Sequence, residues 1–132
     1  MEFSVKKIYL IVLFVMLQFS CNKSIQPFKE EAISFSLDAS NASISLGSNF
    51  GVTVTLTSKI PSSKGIQIAA TITDQTTNNS INQNPAVIST AVQNSISLIN
   101  LPQQHWCYAT IKVSSVATPS NTDSQGFTVV YK

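Results

Sequence analysis

This sequence of 132 residues contains no arginine. Its positive charge comes from eight lysines spread along the chain, and the formal net charge at pH 7 is only +2. Arginine is the side chain that binds phosphate and carboxylate groups in a bidentate way, and nucleic-acid-binding domains concentrate basic residues in one patch. Because the chain has neither feature, we expect no nucleic-acid partner.

Groups that carry out catalysis are also scarce. The chain has one histidine, His105, and six carboxylates. It has no Gly-rich phosphate loop, no nucleophile elbow and no His/Cys cluster at metal-ligand spacing. Glu30 and Glu31 are adjacent carboxylates, but neighbours in an extended strand point to opposite faces. We therefore expect that the protein is not an enzyme and that it uses no metal or other cofactor.

Cysteine occurs only twice, at Cys21 and Cys107. A disulfide between them is one possibility, but if Cys21 is blocked then Cys107 has no intramolecular partner. Cys107 lies in an alternating apolar segment, which favours a buried thiol that packs like a small hydrophobic side chain. His105 would share its face in a strand, but no third member and no electropositive setting are evident nearby. The pair therefore does not point to catalysis.

Two aspartates, Asp74 and Asp123, fall in segments that the composition predicts to be polar loops. Such loops can supply oxygen ligands to calcium. However, the sequence has no Asp-x-Asp pattern, and aspartate favours turns for backbone reasons alone. We therefore interpret both residues as solvated turn residues.

The feature that the chain does have is a distinctive first segment. Two lysines precede an apolar stretch at residues 8–17, and Ser20 and Cys21 follow. A charged start, a short apolar core and a small residue before the cut are the features of a secretory signal peptide. An apolar stretch of about ten residues is too short to span a membrane, which takes roughly 18 or more. We expect residues 1–20 to be the signal peptide, removed by cleavage before Cys21.

The end of this segment, with Ser20 directly before Cys21, resembles the lipoproteins of the Bacteroidota. The resemblance implies that Cys21 carries acyl chains such as palmitate and anchors the protein to a membrane. Asn22 stands where some inner-membrane lipoproteins have aspartate, which favours the outer membrane. The periplasmic or surface side stays open, and an ordinary signal peptide with an incidental cysteine is the alternative.

Residues 21–30 predict an extended, lipidated tether. They show no periodicity, and Pro27 argues against a helix. Fully extended, about ten residues span at most about 33–36 Å, so we expect the following domain to stay near the bilayer surface. Residues 31–132 are long enough to form one domain with one core.

From residue 31 onward, apolar residues alternate with Ser, Thr and Gln at a period of two. The runs lie at residues 33–37, 43–46, 52–57, 66–73, 96–98, 107–113 and 127–131. Alternation of this kind, rich in Val, Ile and Thr, is typical of half-buried strands whose apolar residues, Ile44 and Leu46 included, face a core. Seven or eight short antiparallel strands predict an all-β sandwich with Greek-key connections, and a closed barrel is the alternative.

Part of the pattern is similar to a known family. Leu98, Leu101-Pro102 and residues 107–113 resemble the E–F corner and F strand of a fibronectin type III or bacterial immunoglobulin-like domain, and residues 126–129 resemble the G strand. The resemblance implies an immunoglobulin-like β-sandwich over residues 31–132. It also implies that the first strand starts at the end that carries loops 59–65 and 117–124.

The alternation in residues 107–113 also predicts a candidate binding surface. If Cys107 faces inward, then Trp106, Tyr108 and Lys112 face outward, and Ala69 on the neighbouring strand faces the same way. Trp and Tyr are enriched where proteins bind partners or stack on sugars. A covering segment or a reversed register is the alternative.

These observations predict a lipid-anchored cell-envelope module that binds a protein or a glycan. The alternative is a structural or accessory subunit of a larger envelope complex, contacted through an edge strand.

Overall fold

The computed structural model describes residues 29–132. The predicted signal peptide, the predicted lipidation at Cys21 and most of the predicted tether therefore lie outside the described residues. Within residues 29–132 there is no helix that is long and apolar enough to cross a membrane. The described part consists of nine strands in this order: β1 (Phe35–Leu37), β2 (Ala42–Ser45), β3 (Phe50–Leu56), β4 (Ile66–Asp74), β5 (Ser80–Ile81), β6 (Val87–Ser89), β7 (Gln93–Leu98), β8 (Trp106–Ser115) and β9 (Thr122–Tyr131).

The strands form two sheets that share one core. The smaller sheet has the order β1-β3-β7, and the larger has the order β2-β9-β8-β4-β5, with β6 also paired to β4. Most pairs are antiparallel, but β2 runs parallel to β9. Apolar side chains from both sheets pack into a single cluster, as in sheet-on-sheet packing. The prediction of an all-β, β-sandwich-like fold is confirmed.

The number of strands exceeds the predicted seven or eight because β5 and β6 lie outside the predicted runs. The first of them, β5, lies in the stretch 74–84, which is therefore not simply a loop. Asn78 adopts a positive φ of 59°, and its N–H donates to the carbonyl of Asp74 at 2.7 Å. This tight turn reverses the chain, so the two residues of β5 pair with the end of β4. The residue type allows the turn, because Asn tolerates the left-handed conformation better than most.

The core of the larger sheet follows the predicted alternation. Ile68, Ile111 and Phe127 are buried, while Gln67 and Lys112 are exposed. The antiparallel register between β4 and β8 places Ile68 opposite Val113, so the inward residues of both strands meet in the core. The predicted inward and outward faces of these two strands are confirmed.

The prediction for β2 is wrong. Ile44 and Leu46 are 51% and 92% exposed, whereas Ser43 and Ser45 are buried. The parallel register places Ser43 beside Val129, whose side chain faces the core. The hydroxyl of Ser45 donates to the Gly47 carbonyl at 2.6 Å, so it is satisfied in place. Pairing with β9 and these local hydrogen bonds override the apolar pattern.

The described chain begins at the end of the fold that carries the β8–β9 loop. The N–H of Ile33 donates to Asn121 Oδ1 at 3.0 Å, and Asn121 Nδ2 donates to the carbonyl of Glu31 at 2.9 Å. The β3–β4 loop lies at the same end, because the N–H of Val116 donates to the carbonyl of Gly65 at 3.1 Å. The first strand therefore starts beside these two loops, as the sequence predicted.

Candidate functional site

The structure places the four candidate residues on the outer face of the larger sheet. Trp106, Tyr108 and Lys112 lie at alternate outward positions of β8, and Ala69 lies directly opposite Lys112 on β4. Trp106 is 47% exposed and Tyr108 is 44% exposed. No described segment covers these two rings, so the alternative of a covered or reversed face does not apply to residues 29–132.

The four residues do not form one cluster. Ala69 lies beside Lys112, whereas Tyr108 lies opposite Thr73, and Trp106 extends beyond the end of β4. Four positions along a strand correspond to about 13 Å, so Ala69 is not the neighbour of the aromatic pair that the sequence predicted. The aromatic pair and the Ala69–Lys112 pair are therefore separate parts of the face.

The aromatic pair instead meets apolar residues from β9 and β2. The register places Val130 between Trp106 and Ile44, in one row across three strands. Val130 is buried although it faces outward, and Leu46 is exposed in the bend directly after β2. We call the set of Ile44, Leu46, Trp106, Tyr108 and Val130 the aromatic patch.

Sequence reasoning missed the aliphatic half of this patch. The parallel pairing of β2 with β9 joins segments more than 80 residues apart in the chain. The one local signal was the consecutive pair Val129-Val130, because two adjacent apolar residues in a strand require an apolar setting on both faces.

Tyr108 lies across the sheet because β9 has a glycine beneath it. A Cβ atom built on Gly126 would lie 2.1 Å from the Tyr108 hydroxyl oxygen and 2.5 Å from Cζ. Only glycine leaves room for the phenol at this position. The aromatic ring of Tyr108 on β8 thus covers Gly126 on the neighbouring strand β9. One side of the ring is thus held against the sheet while the side chain stays partly open to solvent.

A buried carboxylate fixes the chain just before Trp106. His105 Nδ1 donates to Asp74 Oδ2 at 2.8 Å, and the hydroxyl of Thr77 donates to the same oxygen at 2.7 Å. The N–H of Thr76 donates to Asp74 Oδ1 at 2.8 Å. Burial alone would raise the pKa of Asp74, but the hydrogen bonds from His105, Thr77 and Thr76 hold the pKa of that carboxyl well below its usual range.

The interpretation of Asp74 and Asp123 as solvated loop residues is wrong. Asp74 is the last residue of β4 and is buried, and Asp123 is the second residue of β9 and is half-buried. The turn after β4 folds back over Asp74 and supplies donors to its carboxylate, which composition alone does not reveal. Asp74 is thus a third group near His105 and Cys107 that sequence reasoning missed.

Asp74 and His105 do not activate the thiol of Cys107. Cys107 is fully buried, and its nearest hydrogen-bond partner is the carbonyl of His105, 3.9 Å from Sγ. Burial, and then the negative charge of Asp74, raise the pKa of the Cys107 thiol, whereas a nucleophilic cysteine needs a lowered one. In residues 29–132, no three His, Cys, Asp or Glu side chains lie close enough together to hold a metal. Asp74 and His105 therefore act as a structural support for the start of β8.

Comparisons with protein-family models, with curated proteins and with solved structures each give no match to this chain. We therefore infer function from the described side chains.

Proposed function

We propose that this protein is a lipid-anchored module of the cell envelope, in the outer membrane, that binds a protein or glycan partner through the aromatic patch. The observation that carries the proposal is the exposure of Trp106, Tyr108, Ile44 and Leu46 on one side of the fold. Contiguous apolar surface of this kind marks interaction sites. Trp and Tyr are also the residues most often found at the energetic centre of interfaces.

The orientation of the chain supports the proposal. Residues 30–33 contact Asn121 at one end of β8, and Trp106 begins β8 at the opposite end. A strand of this length spans about 30 Å. If Cys21 carries the lipid, the aromatic patch then points away from the bilayer, toward a partner in solution or on another molecule.

The strand order supports an immunoglobulin-like sandwich with Greek-key connections as part of the proposal. In that family, strands A, B and E share one sheet, and strands C, F and G share the other. Assigning β1, β3 and β7 to A, B and E, and β4, β8 and β9 to C, F and G, matches the order of these six strands, while β2, β5 and β6 extend the larger sheet. The aromatic patch would then lie on the outer face of strands F and G.

A protein partner is favoured over a glycan by the composition of the patch. Ile44 and Leu46 add two exposed aliphatic side chains beside the rings. Interface cores between proteins are depleted in charge and enriched in aromatic residues, and the described patch contains no charged residue.

Photo-crosslinking in the full chain tests the site. A benzophenone amino acid at position 108 should give adducts in intact cells, while the same group at Ser36, which is exposed on the other sheet, should not. Adducts that protease removes would identify a protein, and adducts that periodate degrades would identify a glycan. Leu46→Glu should abolish the adducts. Equal labelling from positions 36 and 108 would contradict the proposed site.

The lipid anchor has its own test. Each buried methylene contributes about 0.8 kcal/mol, so several acyl chains on Cys21 would hold the protein firmly. Cys21→Ser should release the protein into the soluble fraction or leave it unprocessed. Unchanged membrane retention with a correctly cut N-terminus would contradict lipidation. Protease added outside intact cells would then report the side of the membrane.

A structural or accessory subunit is the second candidate, and β7 favours it because, among the described strands, only β3 pairs with it. Such a subunit should leave the membrane in detergent within a larger particle, in fixed proportion to other chains. A binding module should leave it in variable proportion to its ligand.

A further inference from the structure

The edge of the smaller sheet at β7 is open. Among the described residues, β3 is the only strand that pairs with β7. Along the strand, the backbone N–H and C=O groups of successive residues point alternately toward β3 and away from it. The carbonyl of Val92, just before β7, accepts from the N–H of Leu56 at the end of β3, whereas both backbone groups of Ile99 bond to Gln83 on the other side. In a strand, residues two apart direct their N–H and C=O groups to the same side.

Counting back from Ile99 by twos, the N–H and C=O groups of Ser97, Ser95 and Gln93 point away from β3. The side chain of Gln83 pairs only with the last of these outward residues, Ile99. Its carboxamide accepts from the N–H of Ile99 at 2.9 Å and donates to the carbonyl of Ile99 at 2.8 Å, as the backbone of a neighbouring strand would. The three residues before it form the unpaired part of the edge.

This edge lacks most of the protections that monomeric proteins use, although the segment 83–87 lies across a cavity from Ser95 and Ser97. Soluble proteins block a free edge with charged side chains, proline, a bulge or a covering segment. The strand β7 contains neither charge nor proline, and the whole stretch from Gln75 to Gln104 has no charged residue and no histidine. The charged residues among those that the structure describes all lie outside this stretch.

Apolar side chains flank the same edge. Val87, Ile88 and Val92 are exposed on β6 and on the connection to β7. Beside them a cavity of about 230 Å³ opens between the sheets, lined in part by Ile68 and Ile96. A strand added to β7 would therefore gain backbone hydrogen bonds and also cover apolar surface.

We propose that β7 pairs in an antiparallel manner with β7 of a second copy of this chain, across a two-fold axis at Ser95. Gln93 would pair with Ser97 of the second copy, and the smaller sheets of both copies would become continuous. Around a two-fold axis identical residues meet, so a charge there would repel its own image. An edge free of charge satisfies this condition, and it offers a charged partner nothing to recognise. The aromatic patch lies at the β2 side of the fold and would stay open.

Disulfide cross-linking of the full chain in membranes tests the axis. Opposed residues of an antiparallel pair have Cα atoms about 4.5–5.5 Å apart, within the roughly 4.4–6.8 Å range of disulfides. Under mild oxidation, Ser95→Cys should give a covalent dimer. The parent chain with its native cysteines and Ser62→Cys in the β3–β4 loop are the controls. If Ser95→Cys gives no more dimer than Ser62→Cys, the proposal fails.

The register can be tested independently. Two differently tagged copies, one with Gln93→Cys and one with Ser97→Cys, should link to each other more than either links to itself. Adding Ser95→Pro to both removes one outward N–H per copy and should lower this linkage about tenfold. The Ser95→Pro chain should keep its fold by circular dichroism, because that N–H does not bond to β3. Linkage that is independent of register or unaffected by the proline would overturn the proposed pairing.

Discussion

The edges at β2 and β7 are incomplete in opposite ways. At β2 hydrogen bonds satisfy carbonyls that flank the strand: the Thr128 hydroxyl donates to the carbonyl of Asn41, and the Ser45 hydroxyl donates to the carbonyl of Gly47. Its side chains Ile44 and Leu46 are nevertheless exposed. At β7 the outward backbone groups of Gln93, Ser95 and Ser97 have no partner among the described residues, and the side chains of these three residues are polar and uncharged. One edge thus presents side chains to a partner, and the other presents main-chain hydrogen-bonding groups.

The largest expected effect on stability comes from proline substitutions in β7, and its size should depend on which side of the strand loses an N–H group. Ile96→Pro removes an N–H that points toward β3 and should lower the free energy of unfolding by about 3 kcal/mol or more. Ser95→Pro removes an N–H that points outward and should cost less than about 1 kcal/mol. Urea denaturation measures both. Equal losses would show that the assignment of the outward groups is wrong.

A smaller effect is expected at the glycine beneath Tyr108. Gly126→Val would force the phenol off the sheet, because the added Cβ would overlap its hydroxyl oxygen. We expect a loss of no more than about 1 kcal/mol in the free energy of unfolding, because the displaced phenol is the end of a flexible, partly exposed side chain. Tyr108→Ala in the same chain should recover most of the loss. A loss that is unchanged in the double variant would mean that the ring does not lie over Gly126.

Acid should weaken the hydrogen bonds to the Asp74 carboxylate that hold His105, the residue before Trp106. The pKa of Asp74 is depressed in the folded state, so its contribution to stability is complete above the unfolded value of about 4 and is lost as the pH falls further. The melting temperature of the parent should therefore approach that of Asp74→Asn only below about pH 4. The fluorescence of Trp106, the single tryptophan, should follow the same transition. Parallel pH profiles for the two chains would contradict this role of Asp74.

The smallest effect on stability is expected at two exposed side chains, one in β2 and one directly after it. Ile44→Thr and Leu46→Ser change exposed residues, so each should alter the free energy of unfolding by no more than about 0.5 kcal/mol. The matched change Leu98→Ser in the core should cost several times more. Partner adducts at position 108 should nevertheless decrease in the β2 variants. A large loss of stability from Leu46→Ser would show that Leu46 packs against the fold.

The sequence predicted the parts of this molecule in which local pattern and tertiary pairing agree. The inward face of β8 follows directly from alternation, so the outward position of Trp106 and Tyr108 follows as well. Alternation failed at β2, because its face is set by pairing with β9, the last strand of the chain. The burial of Asp74 was also missed, since its donors come from a turn and from His105, 31 residues away.

The Gln83–Ile99 contact has a consequence for the chemical ageing of this protein. A carboxamide can serve both backbone groups of Ile99 only because one of its atoms accepts and the other donates. Deamidation of Gln83 to glutamate would place an oxygen against the carbonyl of Ile99 and add a negative charge to a neutral stretch of chain. The side chain would then leave its position and free one more residue of the edge, while the new charge would repel its copy in a dimer. The loss of one amide group would thus expose the edge and oppose its pairing at the same time.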